Sequence, residues 1–251
     1  MASLDELTDY LDSQLKTASI PDYPGAMNGL QLANHGQVGR LVAAVDASLE
    51  VIEAAANGAA GLLIVHHGMF WQGAQPLTGA FYRKIKIAMD AGLAVYSSHL
   101  PLDVHPVWGN NILLARAIDL QKSEPFLEHN GISAGIRGGW NGTRSDLLRS
   151  LEAAVAGPVH LCPGGGEGIS KVGIITGGAG SEIAKVAASG IDTFITGEGP
   201  HWSYVLAREL GINVLYGGHY ATETFGVKAV AAALADRFDL AWDFVERPSG
   251  L

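Results

Sequence analysis

Histidine and carboxylate side chains recur where apolar runs of this 251-residue chain end. His66 and His67 follow the apolar run 62–65, and His219 stands four residues before Glu223. In open α/β sheets, binding sites form at the carboxyl ends of the strands, so residues directly after buried strands are candidates. Mixed sets of imidazoles and carboxylates are typical of transition-metal sites. The pattern therefore predicts a metal site.

Each of these segments also has a plainer interpretation. The His66-His67 pair can turn into one pocket because Gly68 follows it, or it can be a surface pair. His99 and Asp103 flank Pro101, and an aspartate near a proline is also common in turns and helix caps. At a helix start, His219 and Glu223 share one face, but an acidic residue there is also favoured by the helix dipole.

Taken together, these residues suffice for a two-metal centre. One ion takes His66 and His219, the other takes His67 and Asp103, and Glu223 bridges the two. Imidazole with carboxylate favours Zn, Fe, Mn, Co or Ni over Ca or Mg. Open positions on such ions imply bound water of lowered pKa, which is the usual nucleophile of metal-assisted hydrolysis.

Proton transfer and anion binding have their own candidates. His99 and His201 are candidate proton-transfer groups, and Glu198 is either an acid/base partner of His201 or a helix cap. The segment 177–180 is rich in glycine and lies between a strand and a helix. It is either a cradle for an anion or a structural turn.

The elements that must position these residues alternate along the chain. Buried runs at 41–45, 62–65 and 93–97 alternate with helical patterns, and the theme repeats at 172–175, 193–196 and 214–216. This alternation predicts an α/β protein of two similar lobes with mostly parallel sheets and the metal site at the lobe interface. We expect the lobes to span 1–125 and 126–251. Whether the last helix and strand, about 221–251, pack back on the first lobe is left open by the pattern.

Composition narrows the class of partner. The chain has 16 Lys+Arg against 25 Asp+Glu, a net charge of −9, which argues against nucleic acid and anionic membranes. Bound divalent ions would still allow a small anionic or nucleotide substrate. A hydrophobic content of 48% excludes intrinsic disorder, and a single cysteine suits the reducing cytoplasm. Neither a signal peptide nor an apolar run of membrane-spanning length is recognisable.

Several motifs, taken in order, resemble those of one family. They are Asn28-Gly29-Leu30-Gln31, His66-His67-Gly68, the segment 99–103, Thr196-Gly197-Glu198 and the segment 218–223. They are similar to motifs of the GTP cyclohydrolase I type 2-like family, also called NGG-interacting-factor-three-like. The resemblance implies a two-lobed subunit with a pair of divalent ions between the lobes, assembled as a homohexameric, toroidal ring of dimers. Carried over by motif, the metal ligands are His66, His67, Asp103, His219 and Glu223.

The resemblance implies a metal-dependent hydrolase, in which metal-bound hydroxide attacks a ring carbon or a related centre. For GTP, the reaction would open the purine ring and release formate. The candidate cations for a triphosphate are Arg83, Lys84, Lys86, Arg137 and Arg144, and they form no dense cluster in the sequence. The alternative function is a non-catalytic metal-binding or regulatory interaction protein.

Overall fold

The structure is a computed structural model that describes residues 1–251. Its thirteen strands are β1 (Ala2–Ser3), β2 (Gly29–Leu32), β3 (Gln37–Val38), β4 (Arg40–Asp46), β5 (Leu62–His67), β6 (Ala94–Ser97), β7 (Gln121–His129), β8 (Ile132–Thr143), β9 (His160–Pro163), β10 (Gly168–Ile174), β11 (Thr193–Thr196), β12 (Asn213–Tyr216) and β13 (Ala241–Phe244). Its ten α-helices are α1 (Leu4–Leu15), α2 (Leu49–Asn57), α3 (Gly79–Asp90), α4 (Leu100–Asp103), α5 (Asn110–Ala117), α6 (Arg144–Val155), α7 (Ile183–Ala188), α8 (His201–Leu210), α9 (His219–Thr222) and α10 (Thr224–Phe238). None of the helices has the length and apolar character needed to cross a membrane.

The chain divides into two compact units. The first comprises Met1–Leu102 and Gly226–Arg247, and the second comprises Asp103–Phe225 and Pro248–Leu251. The α/β class predicted from the sequence is confirmed, with one main sheet in each unit. The lobes expected at 1–125 and 126–251 stay a prediction about folding domains.

The main sheet of the first unit has five strands in the order β13-β4-β5-β6-β2. The strands β13, β4, β5 and β6 are parallel, and β2 is antiparallel to β6 at one edge. Five consecutive residues of β4, 41–45, are buried, as expected for a parallel strand covered on both faces. The side chain of Ser48 caps α2 by accepting the amide of Val51. The parallel order brings the carboxyl ends of β4, β5 and β6 to one edge.

The second unit differs from the mostly parallel sheet that the sequence predicted. Its six strands lie in the order β7-β8-β10-β11-β12-β9, and only β10, β11 and β12 are parallel to one another. The flanking strands β8 and β9 are antiparallel to β10 and β12 respectively, and β7 is antiparallel to β8. The carboxyl ends of the three parallel strands still share one edge.

The polar stretch 121–131, which includes the expected boundary between the lobes at residue 125, contains the strand β7. It pairs with β8 at the edge of the second sheet, and Pro125 lies within it opposite Ile136. An edge strand tolerates proline because one side of its backbone has no strand partner. The polarity of this stretch is therefore that of an exposed edge strand.

Helix α6 provides a test of how local signals stabilise the second unit. The side chain of Thr143 accepts the amide of Asp146, and Asp146 accepts the amide of Thr143, which forms a capping box. We expect Thr143→Ala to cost about 1 kcal/mol and to lower the melting temperature by about 2–4 °C. Differential scanning calorimetry measures the shift.

Thr78→Ala is the matched control. Thr78 is the N-cap of α3, but its side chain makes no capping hydrogen bond, and like Thr143 it is exposed. We expect a change below about 0.5 kcal/mol for this variant. Equal shifts for the two variants would contradict the role of the capping box.

Candidate metal centre

Three histidines of the first unit converge at the carboxyl ends of its parallel strands. His66 and His67 are the last residues of β5, and His99 follows β6. One potential ligand atom from each of the three lies within 4.8 Å of the others. The ring centroids of His66 and His99 are 4.9 Å apart, and those of His67 and His99 are 5.7 Å apart. The sheet edge therefore gathers imidazoles from two neighbouring strands.

Each of these rings is held at its Nδ1 atom by an oxygen of the same unit. The contacts are His66 to the carbonyl oxygen of Ser98 at 2.9 Å, His67 to Asp46 Oδ1 at 2.8 Å, and His99 to Asp22 Oδ1 at 2.9 Å. A carbonyl or an ionised carboxylate only accepts hydrogen bonds, so Nδ1 carries the proton and Nε2 carries the lone pair. This is the arrangement that supports metal-ligating histidines in proteins. The donor set therefore fits a transition-metal ion.

Asp22 is a functional candidate that the sequence analysis missed. Its side chain is only 6% exposed. Burial raises the pKa of Asp22, but hydrogen bonds from His99, Asn28 Nδ2 and the Tyr23 amide outweigh it and hold the pKa below its ordinary value. The amide of Leu100 also donates to this carboxylate, at 2.9 Å. Asp22 is therefore an ionised acceptor that fixes the tautomer of His99.

The Asn28-Gly29-Leu30-Gln31 motif positions the chain around the histidines and supplies no candidate metal ligand itself. Asn28 accepts the amide of His99 at 2.7 Å and donates to Asp22. Gln31 accepts the amide of Met69 at 2.7 Å, just after the paired histidines. A Cβ atom on Gly68 would lie 2.2 Å from the Gln31 amide, so only glycine allows this approach. Because Asn28 of this motif donates to Asp22, the motif is the sequence feature through which Asp22 could have been found.

The second unit supplies an imidazole and a carboxylate one helical turn apart. His219 begins α9, and its Nε2 atom lies 3.2 Å from Glu223 Oε2. Its Nδ1 atom lies 2.8 Å from Glu198 Oε1, and Glu223 is 2% exposed. Burial lowers the pKa of His219, but the carboxylates of Glu223 and Glu198 outweigh it and raise the pKa to about 9. The two carboxylates therefore stabilise a positive charge on the His219 ring.

Asp103 is buried in the second unit, with 7% exposure. It accepts hydrogen bonds from Asn110 Nδ2 at 2.8 Å and Thr176 Oγ1 at 3.3 Å. Asn111 donates to its backbone oxygen and also accepts the amide of Thr176. Thr176 immediately precedes the glycine-rich segment, so the contacts of Asp103 extend to the end of β10.

The glycine-rich segment 177–180, whose role the sequence left open, forms a wall beside His219 and Glu223. Gly177 has φ +70°, and a Cβ atom there would lie 2.1 Å from Glu223 Oε1. Its amide donates to Thr222 Oγ1 at 3.0 Å. Gly178 lies beside His219 without such a clash, since a Cβ atom there would be 3.5 Å from its Cε1, an ordinary contact. The backbone of this segment therefore lies close to the side chains of His219 and Glu223.

The two tentative proton-transfer residues differ in their surroundings. His99 lies beside His66 and His67, whereas His201 is exposed at the start of α8. Glu198, which the sequence allowed as an acid/base partner of His201, instead contacts His219. The proton-transfer roles of both histidines and the five-residue ligand set stay predictions.

The wall formed by Gly177 gives a direct test of the geometry around Glu223. We expect Gly177→Ala to cost about 1–2 kcal/mol for the left-handed backbone and more for the clash with the carboxylate. Gly190→Ala is the matched control, because Gly190 has φ +80° and a Cβ atom added there would meet nothing within 4 Å. Chemical denaturation compares the two. Equal losses of stability would show that Glu223 does not require a glycine at position 177.

Comparison with known proteins identifies the family. The family model Duf34/NIF3 (NGG1p interacting factor 3) matches residues 2–248. A "GTP cyclohydrolase 1 type 2 homolog" of Deinococcus radiodurans is 39% identical, with 98% of this chain and 94% of that protein covered. The crystal structure of TTHA1606 from Thermus thermophilus has a TM-score of 0.91 at 35% identity, with 99% of this chain and 100% of that chain covered. Reduced HcgD from Methanocaldococcus jannaschii has a TM-score of 0.86 at 25% identity, with 98% of each chain covered. The chain belongs to the Duf34/NIF3 family.

Proposed function

We propose that this protein binds two divalent transition-metal ions and uses them in hydrolysis. The residues that would hold the ions are His66, His67, Asp103, His219 and Glu223. The observation that carries the proposal is the fixed Nδ1 hydrogen bond of the three histidines in this set, to Ser98, Asp46 and Glu198 respectively. Glu223 offers two carboxylate oxygens and is the residue that can serve both ions.

Bound divalent ions would supply the positive charge that activates water and polarises a carbonyl or phosphoryl group. The chain's own residues orient the imidazoles and exclude water from the ligand positions. His66 is fully buried, and Glu223 is nearly so. Buried carboxylates and imidazoles strengthen electrostatic interactions with a bound ion, because the local dielectric constant is low.

The surroundings of the five basic residues that could bind a triphosphate bear on the class of substrate. Three of the five candidates already contact carboxylates: Lys86 with Asp90, Arg137 with Glu124, and Arg144 with Glu167. Arg144 also donates to the backbone of Gly165 and to Asn213. These contacts favour a substrate whose negative charge is met by the metal ions over one bound by a cluster of arginines and lysines.

Lys84 differs from these three cations in its surroundings. It is partly buried in the first unit; burial lowers its pKa, and the charge of Asp46 partly offsets that effect. Asp46 is also the residue that holds His67. Lys84 is therefore the cation best placed to act on an anion near the histidines.

The resemblance to relatives named for GTP cyclohydrolase makes GTP the first substrate to test. Opening of its purine ring by water, with release of formate, is the reaction that this name suggests. A homohexameric ring of dimers and a cytoplasmic location belong to the same proposal and rest on the resemblance and on the single cysteine.

The metal content tests the first half of the proposal. We expect the wild-type chain to carry about two transition-metal ions, measured by elemental analysis after reloading. Glu223→Gln removes the charge but keeps the shape, and it should lower the metal content by at least about one ion per chain. Glu209→Gln, at an exposed position on α8, should leave the content unchanged. A wild-type protein that cannot be loaded with metal would be inconsistent with the proposal.

Turnover tests the second half. Metal-loaded wild type is incubated with GTP and with a panel of cyclic amides and phosphoesters, and products are followed by mass spectrometry. We expect metal-dependent hydrolysis of at least one compound, and His67→Ala should reduce it by at least about a hundredfold. His129→Ala, a change at a partly exposed histidine of β7 in the second unit, is the control. Full metal content without turnover of any compound would favour the non-catalytic metal-binding or regulatory function.

A further inference from the structure

Two aromatic side chains of the first unit lie beside the clustered histidines and have no role in the proposed ligand set. The ring centroid of Trp71 lies 4.7 Å from that of His99 and 5.8 Å from that of His67. The ring centroid of Tyr23 lies 6.1 Å from that of His99. We propose that Tyr23 and Trp71 form a stacking site for a planar nitrogen heterocycle of the nucleobase class. This inference rests on the proposed function, because the metal ions are what would act on the ring held there.

Trp71 presents an aromatic surface that its neighbours leave partly uncovered. It is 36% exposed, although tryptophan is highly buried on average. Its ring plane stands at 83° to that of His99 and at 76° to that of His67, so both contacts are edge-to-face and neither is stacked. Aromatic rings also pair in offset stacks. The indole can therefore stack on a further ring without giving up its contacts with the histidines.

The turn that carries Trp71 is anchored in the first unit. The preceding residue, Phe70, packs on the core of this unit and meets Phe81 edge-to-face, with 6.0 Å between the ring centroids. The amide of Gly73 donates to the carbonyl oxygen of Phe70 at 2.8 Å and closes the turn. An exposed ring on an anchored backbone loses little conformational entropy when a ligand binds, which favours affinity.

Tyr23 is held by the same carboxylate that supports His99. The amide of Tyr23 donates to Asp22 Oδ1 at 2.7 Å, and this oxygen also lies 2.9 Å from His99 Nδ1. The Tyr23 side chain itself is largely exposed, at 54%. Its backbone is therefore fixed relative to the imidazole, while its ring is accessible to a ligand.

The loops that carry the two aromatic residues are in backbone contact. A Cβ atom on Gly25, two residues after Tyr23, would lie 2.7 Å from the carbonyl oxygen of Trp71 and 3.0 Å from its Cα atom. This contact limits how far the two rings can move apart. A fixed pair of aromatic rings favours a flat ligand over a flexible one, and every nucleobase offers a flat π face for stacking.

The test compares ligands with and without the planar ring. Guanosine, adenosine and cytidine carry a base, whereas ribose carries none. Isothermal titration calorimetry measures the binding of each compound to the full-length chain, both metal-free and metal-loaded. We expect the nucleosides to bind the wild type in both states. Trp71→Ala and Tyr23→Ala should each weaken this binding by about 5–150-fold, the effect of losing one base-stacking contact.

The matched controls are Trp202→Ala on α8 and Tyr82→Ala on α3. These two aromatic residues are also exposed, at 49% and 50%, and both variants should bind nucleosides as the wild type does. Trp71→Phe keeps an aromatic face and should restore most of the affinity lost in Trp71→Ala. Circular dichroism confirms that each variant is folded, and Trp71→Phe and Tyr23→Ala keep the test decisive if Trp71→Ala does not fold.

The inference is overturned if no nucleoside binds the wild type, or if ribose binds as tightly as the nucleosides. It is also overturned if nucleoside binding survives both Trp71→Ala and Tyr23→Ala at the wild-type level. Elemental analysis adds a further criterion: if these variants lose metal in step with nucleoside affinity, the rings only support the histidines and the inference is wrong. A wild-type chain that takes up no metal overturns the proposed function. Nucleoside binding to the metal-free chain still decides the stacking site in that case, so the two failures are distinguishable.

Discussion

The hydrogen bond at Nδ1 of each clustered histidine is the interaction on which the candidate site depends. It fixes the proton on one nitrogen and the ring plane at the same time. Its acceptors come from distant parts of the chain: Asp22 lies in the loop before β2, Asp46 ends β4, and Glu198 follows β11. Within each unit, the parallel strands bring residues that are far apart in sequence to one edge of the sheet. Loss of one acceptor would leave a ring in the right place with the wrong tautomer.

The second constraint is that the backbone must pass close to the side chains of the site, and this explains the positions of several glycines. Gly68 lies against Gln31, Gly177 lies against Glu223, and Gly197 would place a Cβ atom 2.6 Å from His219 Cα. At each of these positions a side chain would occupy the space that a functional group or its support requires. Some of the 33 glycines of the chain therefore line the candidate site, and others lie in turns.

The positions of the candidate residues followed from the sequence because strand ends are easy to recognise. A buried apolar run that stops at a histidine, as at His66, marks the carboxyl end of a strand. Asp22 had no such signal, since it lies in an irregular loop 77 residues from His99. The contact of Glu198 with His219 had no signal in the sequence, because the two residues are 21 positions apart and Glu198 lies closer along the chain to His201. The strand β7 was hidden by its polar edge and its proline.

The charges around His219 favour a bound cation in the second unit. His219 has a pKa of about 9 against an ordinary value of 6.5, because the carboxylates of Glu223 and Glu198 outweigh the effect of burial. A raised folded-state pKa contributes stability that is fully present below pH 6.5 and is lost as the pH rises through about 9. A divalent ion at the Nε2 atom must displace that proton, so ion and proton compete for one electron pair. The cluster of His219, Glu198 and Glu223 would therefore hold a positive charge with either the proton or a divalent ion bound.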